Sequence, residues 1–457
     1  MADHGPLREA VAAGEVIPLF VVDPFFFAPA RAAQAPHRMQ FLLEALESLA
    51  ANLAHLGSEL VVVRGRSTEV VPRLAREWRV DQVLAHRWTE PFGRERDARV
   101  TAALGGIPFR LHEGETLFIP GSVRTGQGGM FKVYTPFARA CGAQEPEGPE
   151  PAPRHLPPLP AGLATSSEPL PTLAELGLTR NPVLLRGGER EARARLRAFL
   201  PRLEGYPEGR DRMDWEGTSR LSADLKFGTL SVRALWAAVA GEAPGEGRRR
   251  YLGELLWREF SHHLLWTWPH LLEAPFRPEW GDFPYQEDPG LLEAWKAGRT
   301  GYPVVDAAAR ELRATGHVHN RARMIAASFL TKHLLQDWRQ GQAHYLTWLT
   351  DGDWAQNSAG WQWSAGCGVD AQPWFRIFNP VAQGQRFDPE GAYVRRWVPE
   401  LAEVPAARIH EPWRLEPALR RRLSYPEPVV DLSEGRARFL AVAKAHLGGA
   451  PGLAPLD

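Results

Sequence analysis

Between Val16 and Gly114 short apolar runs alternate with longer amphipathic stretches. VIPLFVVD (Val16–Asp23), ELVVVRG (Glu59–Gly65), DQVLAH (Asp81–His86) and PFRLHEG (Pro108–Gly114) are brief and read as buried strands. Between them MQFLLEALESLAANLAHLG (Met39–Gly57), STEVVPRLAREW and RERDARVTAALGG place apolar residues at helical spacing, and the first stops on a glycine. This strand–helix alternation predicts a parallel sheet covered by helices on both faces. No G-x-G-x-x-G follows any of the strands, so a dinucleotide fingerprint is missing.

Nine prolines with Gly, Ser and Glu between Gln144 and Pro171 predict an extended linker. Beyond Asn181 the strand signals stop. REARARLRAFLPRLEGY, SVRALWAAVAG, RRRYLGELLWREFSHHLLW, GLLEAWKAG, PVVDAAARELRATG, RARMIAASFLTKHLLQDW and GQAHYLTWLTDG follow as helical patterns. The expected organisation is an α/β domain over 1–125, a linker over 126–180, an all-α domain over 181–445 and a disordered tail over 446–457.

Charge gives no sign of a polyanion partner: Lys+Arg and Asp+Glu are 54 each, so any nucleic-acid face is a local patch. The two cysteines, Cys141 and Cys367, have no metal-ligand spacing and fit a reducing compartment. No apolar run is long enough for a membrane span and no cleavable leader is visible, so a cytoplasmic protein is expected. Tryptophan is the outlier: of 17, only Trp78 and Trp88 precede residue 200. Large helical cores use tryptophan, yet the asymmetry suggests an aromatic task in the C-terminal part.

Four stretches carry candidate chemistry. In EGTSRLSADLKFGTLS (Glu216–Ser231), small hydroxyls beside glycines precede a helix, which suits a phosphate; a capped helix start is the plain alternative. In GELLWREFSHHLLW, Glu254 and Trp257 share a helix face, an acid beside an aromatic platform, or simply a solvated face. At HNRARM, Asn320, Arg321, Arg323 and Met324 open a helix after Gly316 and suit phosphates and a base edge, or a solvated basic turn. DGDWAQNSAGWQW (Asp351–Trp363) crowds two carboxylates, an amide and three tryptophans; it offers too few oxygens for a Mg²⁺ or Ca²⁺ loop, and no metal site is expected. No serine-hydrolase elbow, HExxH or Walker sequence occurs.

Taken in order, WREF, TGYPVVDAAAREL, HNRARMIAASFL, DGDWAQNSAGWQW and FRIFNPVAQGQRFDPEGAYVRRWVPEL resemble the photolyase/cryptochrome flavoproteins over nearly the whole chain, most closely the bacterial class I cyclobutane pyrimidine dimer photolyases. The resemblance implies an α/β antenna domain and an all-α domain holding FAD. Carried over by position, Tyr206, Thr218, Ser219, Arg220, Leu221, Ser222, Tyr251, Asp351, Gly352 and Asp353 would bind FAD. Asn357 would face flavin N5, the form associated with a reduced FADH⁻. Glu254, Trp257, Asn320, Met324 and Trp363 match lesion contacts, and Arg210, Arg258, Arg321, Arg323 and Gln383 match DNA contacts. His319–Asn320, in place of a histidine pair, favours the cyclobutane dimer over the (6-4) product.

The implied activity is light-driven dimer splitting in UV-damaged DNA by a monomeric lyase that flips the lesion out. It requires a protonated Glu254 to stabilise the dimer radical anion. The alternatives are a cryptochrome-like blue-light receptor, a (6-4) photolyase and an inert relative without FAD. Photoreduction would run through Trp361, Trp338 and then Tyr285, where the commonest pattern has tryptophan, with rerouting through Trp280 or Trp295 open. HEGETLFIPGSVRTGQGGMFKVYTPF (His112–Phe137) resembles the antenna cleft and suits methenyltetrahydrofolate or 8-hydroxy-deazaflavin. The family's opening strand and its W-F-R-R-D-L-R-like run have no counterpart before MADHGPLREA. The expected sheet therefore lacks its first strand, with a start codon placed too late as the favoured reason over truncation.

Overall fold

The computed structural model describes residues 1–161, 163 and 167–448. Parts of the expected linker (162 and 164–166) and of the expected tail (449–457) lie outside the described residues. All four expected strands form, each shorter than its apolar run: β1 (Leu19–Val22), β2 (Val61–Arg64), β3 (Val83–His86) and β4 (Phe109–His112). Helices α1 (Gly5–Ala13), α2 (Pro36–His55), α3 (Ser67–Glu77) and α4 (Pro91–Ala103) alternate with them.

Both pairings are parallel, Leu19↔Val61 to Val22↔Arg64 and Val83↔Phe109 to His86↔His112. The parallel α/β architecture is as expected, and the strands make two separate pairs, in keeping with the expected lack of one strand. Among the described residues no strand supplies a ladder between β1 and β3. Both are accordingly half-buried over most of their length, where a strand covered on both faces would be buried throughout. Helix α3 serves both pairs. Its Val70 and Leu74 pack with Val61 and Val63 of β2, and its Ala75 packs with Val100 and Leu104.

The chain divides into two compact units. The first comprises Met1–Glu204, Ser219–Pro269 and Thr350–Gly352; the second comprises Gly205–Thr218, His270–Leu349 and Asp353–Asp457. Among the helices that the first unit adds to the α/β elements are α5 (Tyr134–Gly142), α6 (Glu189–Phe199) and α7 (Glu246–Thr267). Helix α5 falls within the stretch expected as linker. Its Phe137 and Cys141 lie one turn apart on the buried face, which anchors it.

In the second unit α8 (Pro303–Thr315), α9 (Asn320–Ser328), α10 (Trp338–Trp348), α11 (Trp354–Ala365) and α12 (Pro380–Phe387) surround one core. Side-chain caps start several of them: Asp337 accepts from Arg339 N, Asp353 from Gln356 N, and Asn379 from Val381 N and Ala382 N. Trp280, Trp295, Trp338, Trp361 and Trp374 all belong to the core, so much of the tryptophan surplus is packing. No helix among the described residues is long and apolar enough to cross a membrane.

Three covered histidines, His86, His319 and His344, tie the stability of this fold to pH. Burial, reinforced by the nearby His112, pushes His86 down to about 4. Burial likewise pushes His319 and His344 down to about 4. Each is neutral when folded, while the unfolded chain takes up the proton near the ordinary value of about 6.5. The stabilisation is therefore complete above that pH and drains as pH falls towards 4. Tm should decline steadily between pH 6.5 and 4.5; a Tm flat across that window contradicts the assignment.

Candidate functional site

In the first unit the chemistry centres on α7. Glu246 opens the helix, where an acid complements the dipole. From Leu255 to Leu265 nearly every side chain is buried, polar ones included. Buried polar groups demand partners, and here they fasten the segment 115–121. The Glu259 carboxyl accepts from Leu117 N and Phe118 N, each at 2.9 Å. His263 accepts from Gly121 N at Nδ1, so its Nε2 carries the hydrogen and faces Glu259 at 3.2 Å.

Arg258 is the expected DNA contact that the structure relocates. It is buried, and its Nη1 donates to the Glu115 carbonyl at 2.6 Å, so it braces this segment instead of facing a phosphate. Glu254 and Trp257 point out of the buried half. Arg250 Nε lies 3.8 Å from Glu254, one turn away. Trp257 is 37% exposed, one of its faces covered by Tyr134 at a centroid distance of 3.6 Å.

The same unit holds part of the expected cofactor set. Tyr251 donates its hydroxyl to Ser219 Oγ at 2.8 Å and packs on Phe199. Arg220 has φ +54° and is followed by Leu221 at φ −93°, ψ 3°. A left-handed residue before a right-handed one turns successive N–H groups to one side, a concavity for an anion. Ser222, exposed, opens the next helical turn. Asp351 lies beside Arg38, whose pKa burial pulls down to about 10 against the opposing Asp351 and Glu90 charges. Arg38 also donates to the Gly352 carbonyl at 3.2 Å. The Thr350 hydroxyl and Arg220 Nε are buried with no partner among the described residues. These donors fit the phosphates and hydroxyls of a bound nucleotide.

In the second unit Tyr206 is buried at the start of a loop that doubles back on itself. A Cβ on Gly217 would lie 2.4 Å from Gly209 backbone atoms, so only glycine permits this crossing. It brings Tyr206–Arg210 beside Thr218. The Arg210 side chain is mostly covered and sits 3.8 Å from Asp211. Asn357 donates its amide to the Gln342 carbonyl at 3.1 Å, which fixes the amide's orientation.

Asn320, Arg321 and Met324 form one cluster at the start of α9. Asn320 Nδ2 and Arg321 Nη1 lie 3.6 and 3.9 Å from Met324 Sδ. Arg321 also binds Asp211 at 2.5 Å and covers Phe387 at 4.5 Å. Gln383 lies one turn before Phe387 on α12, on the same face. Arg323 turns away, donating to the Val318 carbonyl at 2.8 Å. Trp363 is half-buried on α11, which packs against α9.

Trp361 is buried in contact with Tyr345 and Trp295, at centroid distances of 5.2 and 5.9 Å. Trp338, fully buried, opens α10 with Arg339 over its ring. Tyr285 packs on Phe283, and its hydroxyl is buried with no partner among the described residues. Sequence reasoning missed Tyr134, Arg38 and Tyr345. Each lies in an unremarkable local pattern and matters only through a partner brought to it by folding.

Two family models match the chain: one described as DNA photolyase over residues 1–158, the other as the FAD binding domain of DNA photolyase over residues 251–445. A deoxyribodipyrimidine photo-lyase of Streptomyces griseus is 43% identical over 444 residues, covering 96% of this chain and 95% of that protein. Among solved structures, a bacterial class III photolyase from Agrobacterium tumefaciens superposes with a TM-score of 0.91 at 36% identity, covering 98% of this chain and 95% of that one. A Synechocystis cryptochrome follows with a TM-score of 0.88 at 30% identity, covering 96% of each chain.

The Trp361 slot yields a direct test. A Cβ on Gly341 would lie 2.1 Å from the Trp361 ring, inside the core. Gly341→Ala should cost about 1–3 kcal/mol of stability by overpacking against the indole. Wild-type stability in that variant would contradict the packing account.

Proposed function

The chain belongs to the DNA photolyase family, and on that premise we propose how its residues carry out the light-driven repair of cyclobutane pyrimidine dimers in DNA, with FAD as cofactor. Tyr206, Thr218 to Ser222, Tyr251, Asp351 to Asp353 and Asn357 hold the FAD, the hydroxyls and the Arg220–Leu221 turn serving its phosphates. When bound and reduced, FAD supplies the electron that light sends to the dimer and receives it back after the ring opens. The chain's own work is to bind, orient and desolvate the lesion. Glu254 donates a hydrogen bond to a base of the dimer, Trp257 and Trp363 offer π-faces, and Met324 fills the space between polar contacts made by Asn320. Arg210, Arg321, Arg323 and Gln383 shape the surrounding DNA face. Of the three arginines, Arg321 is bound to Asp211, Arg323 to the Val318 carbonyl, and Arg210 lies 3.8 Å from Asp211, so they act by contour as much as by charge.

The observation that carries the reading is the Asn320–Arg321–Met324 cluster at the head of α9, which groups three of the expected lesion and DNA contacts within one helical turn. A (6-4) specificity is disfavoured by Asn320. A cryptochrome-like receptor is the second reading, favoured by the likeness to the Synechocystis cryptochrome. We further assign residues 1–125 to the antenna domain, 126–180 to the linker and 181–445 to the FAD and lesion domain, in a monomeric cytoplasmic protein. Methenyltetrahydrofolate or 8-hydroxy-deazaflavin is the candidate antenna.

Trp361 would give the first electron to oxidised flavin, and Trp338 would then refill Trp361. Tyr285 is a poor outer station, because an oxidised tyrosine must lose its proton and this hydroxyl has no acceptor among the described residues. Trp361→Phe should abolish flavin photoreduction yet spare repair by pre-reduced protein. Tyr285→Phe should leave the photoreduction rate unchanged; a clear slowing would restore Tyr285 to the relay. For the repair step, Glu254→Ala should cut light-dependent repair roughly 10- to 100-fold, the worth of a hydrogen bond to a charged partner, with FAD content intact. Parallel loss of FAD would overturn the assignment of Glu254.

A further inference from the structure

Tyr134 opens α5 and, although separated from Trp257 by more than a hundred residues of sequence, lies flat against it. The two rings are 3.6 Å apart at the centroids and 8° from parallel. Trp257 is one of eight large apolar side chains left exposed among the described residues, at 37%. An exposed indole on a helix surface ordinarily samples several rotamers and loses that freedom on binding a ligand. Here one face is already sealed by a parallel ring, which leaves the other face as the open platform. Phe260 meets both rings edge-on, at 6.1 Å from each, and Phe137 backs Phe260 at 5.0 Å, so the stack stands on a closed aromatic floor.

The Tyr134 hydroxyl adds a second hold. It donates to the Gly253 carbonyl at 2.7 Å. In an α-helix that carbonyl is the one facing the Trp257 N–H, four residues on. Tyr134 therefore grips the single turn, Gly253 to Trp257, that presents both Glu254 and Trp257. Burial, with the nearby Glu254 charge, pushes the phenol well above its ordinary value, so the hydroxyl stays protonated and remains a donor.

We propose that Tyr134 is a positioning residue for lesion recognition: stacked on Trp257 and anchored at Gly253, it pre-sets the indole plane on which the flipped pyrimidine dimer lies. The inference rests on the lesion-pocket reading of Trp257. Its action is on binding of damaged DNA, by sparing the ordering of Trp257, and not on electron transfer.

The test measures affinity for dimer-containing duplex and for the same duplex undamaged, in the dark, together with bound flavin per chain. Tyr134→Leu removes the stack and should weaken binding to dimer DNA roughly three- to tenfold, the range of an aromatic pair. Undamaged-DNA affinity and flavin content should stay at wild-type values. Tyr134→Phe keeps the ring and should restore dimer affinity to within about twofold. In a Trp257→Leu background, Tyr134→Leu should have little further effect, because the residue acts through that indole. Unchanged dimer selectivity in Tyr134→Leu overturns the proposal. So does a loss of dimer affinity, undamaged-DNA affinity and flavin in equal proportion, which would mark Tyr134 as a structural pillar only. A wild-type protein with no preference for dimer DNA would instead overturn the pocket reading on which the proposal stands.

Discussion

A carboxyl group with no contact with solvent holds the helix Glu246–Thr267 in place. Glu259 is fully buried, and its two oxygens take the N–H groups of Leu117 and Phe118 while His263 faces it from the next turn. A buried acid left without partners costs several kcal/mol, so the helix Glu246–Thr267 and the segment 115–121 are ordered together or not at all. Arg258 strengthens the same junction through the Glu115 carbonyl. With the buried side of the helix fastened in this way, its other side is free to present Glu254 and Trp257 at a defined angle. Glu254 and Trp257 can be partly exposed because their neighbours in sequence are so thoroughly satisfied.

The same division of labour recurs around Trp361. Gly341 clears a slot for the indole, and Tyr345 and Trp295 close round it. Two positions along, Trp363 is only half-buried. A spacing of two on a helix separates side chains by about 200°, so DGDWAQNSAGWQW sends one indole into the core and the other outward. The aspartate pair divides similarly: Asp353 caps the helix that carries both tryptophans, and Asp351 lies beside the buried Arg38.

Most of the secondary structure was legible because it follows local period. The four short apolar runs became strands, and the helical stretches after Asn181 became helices, except that RARMIAASFLTKHLLQDW ends its α-helix at Ser328, continues as a π segment over Phe329–His333 and then leaves helical geometry. The division of the strands into two pairs agrees with the expected absence of one strand from the sheet, whereas the ladder partners themselves, such as Leu19 and Val61, were not legible, being set by tertiary packing. Helix Tyr134–Gly142 was hidden by the proline-rich segment beside it. The candidate residues came from motif resemblance, and the structure then sorted them by environment: Asn320 and Met324 into one cluster, Arg258 into the interior. Tyr134 and Arg38 escaped because nothing local marks them. Their partners, Trp257 and Gly352, lie far along the chain.

The account turns on what lesion the chain repairs with light. Chemically reduced protein should be illuminated with two duplexes that differ only in carrying a cyclobutane pyrimidine dimer or a (6-4) product, with dark controls, and the remaining lesions counted. Light-dependent loss of the cyclobutane dimer alone is the predicted result. Repair of the (6-4) product, or flavin photochemistry with both lesions untouched, would contradict it.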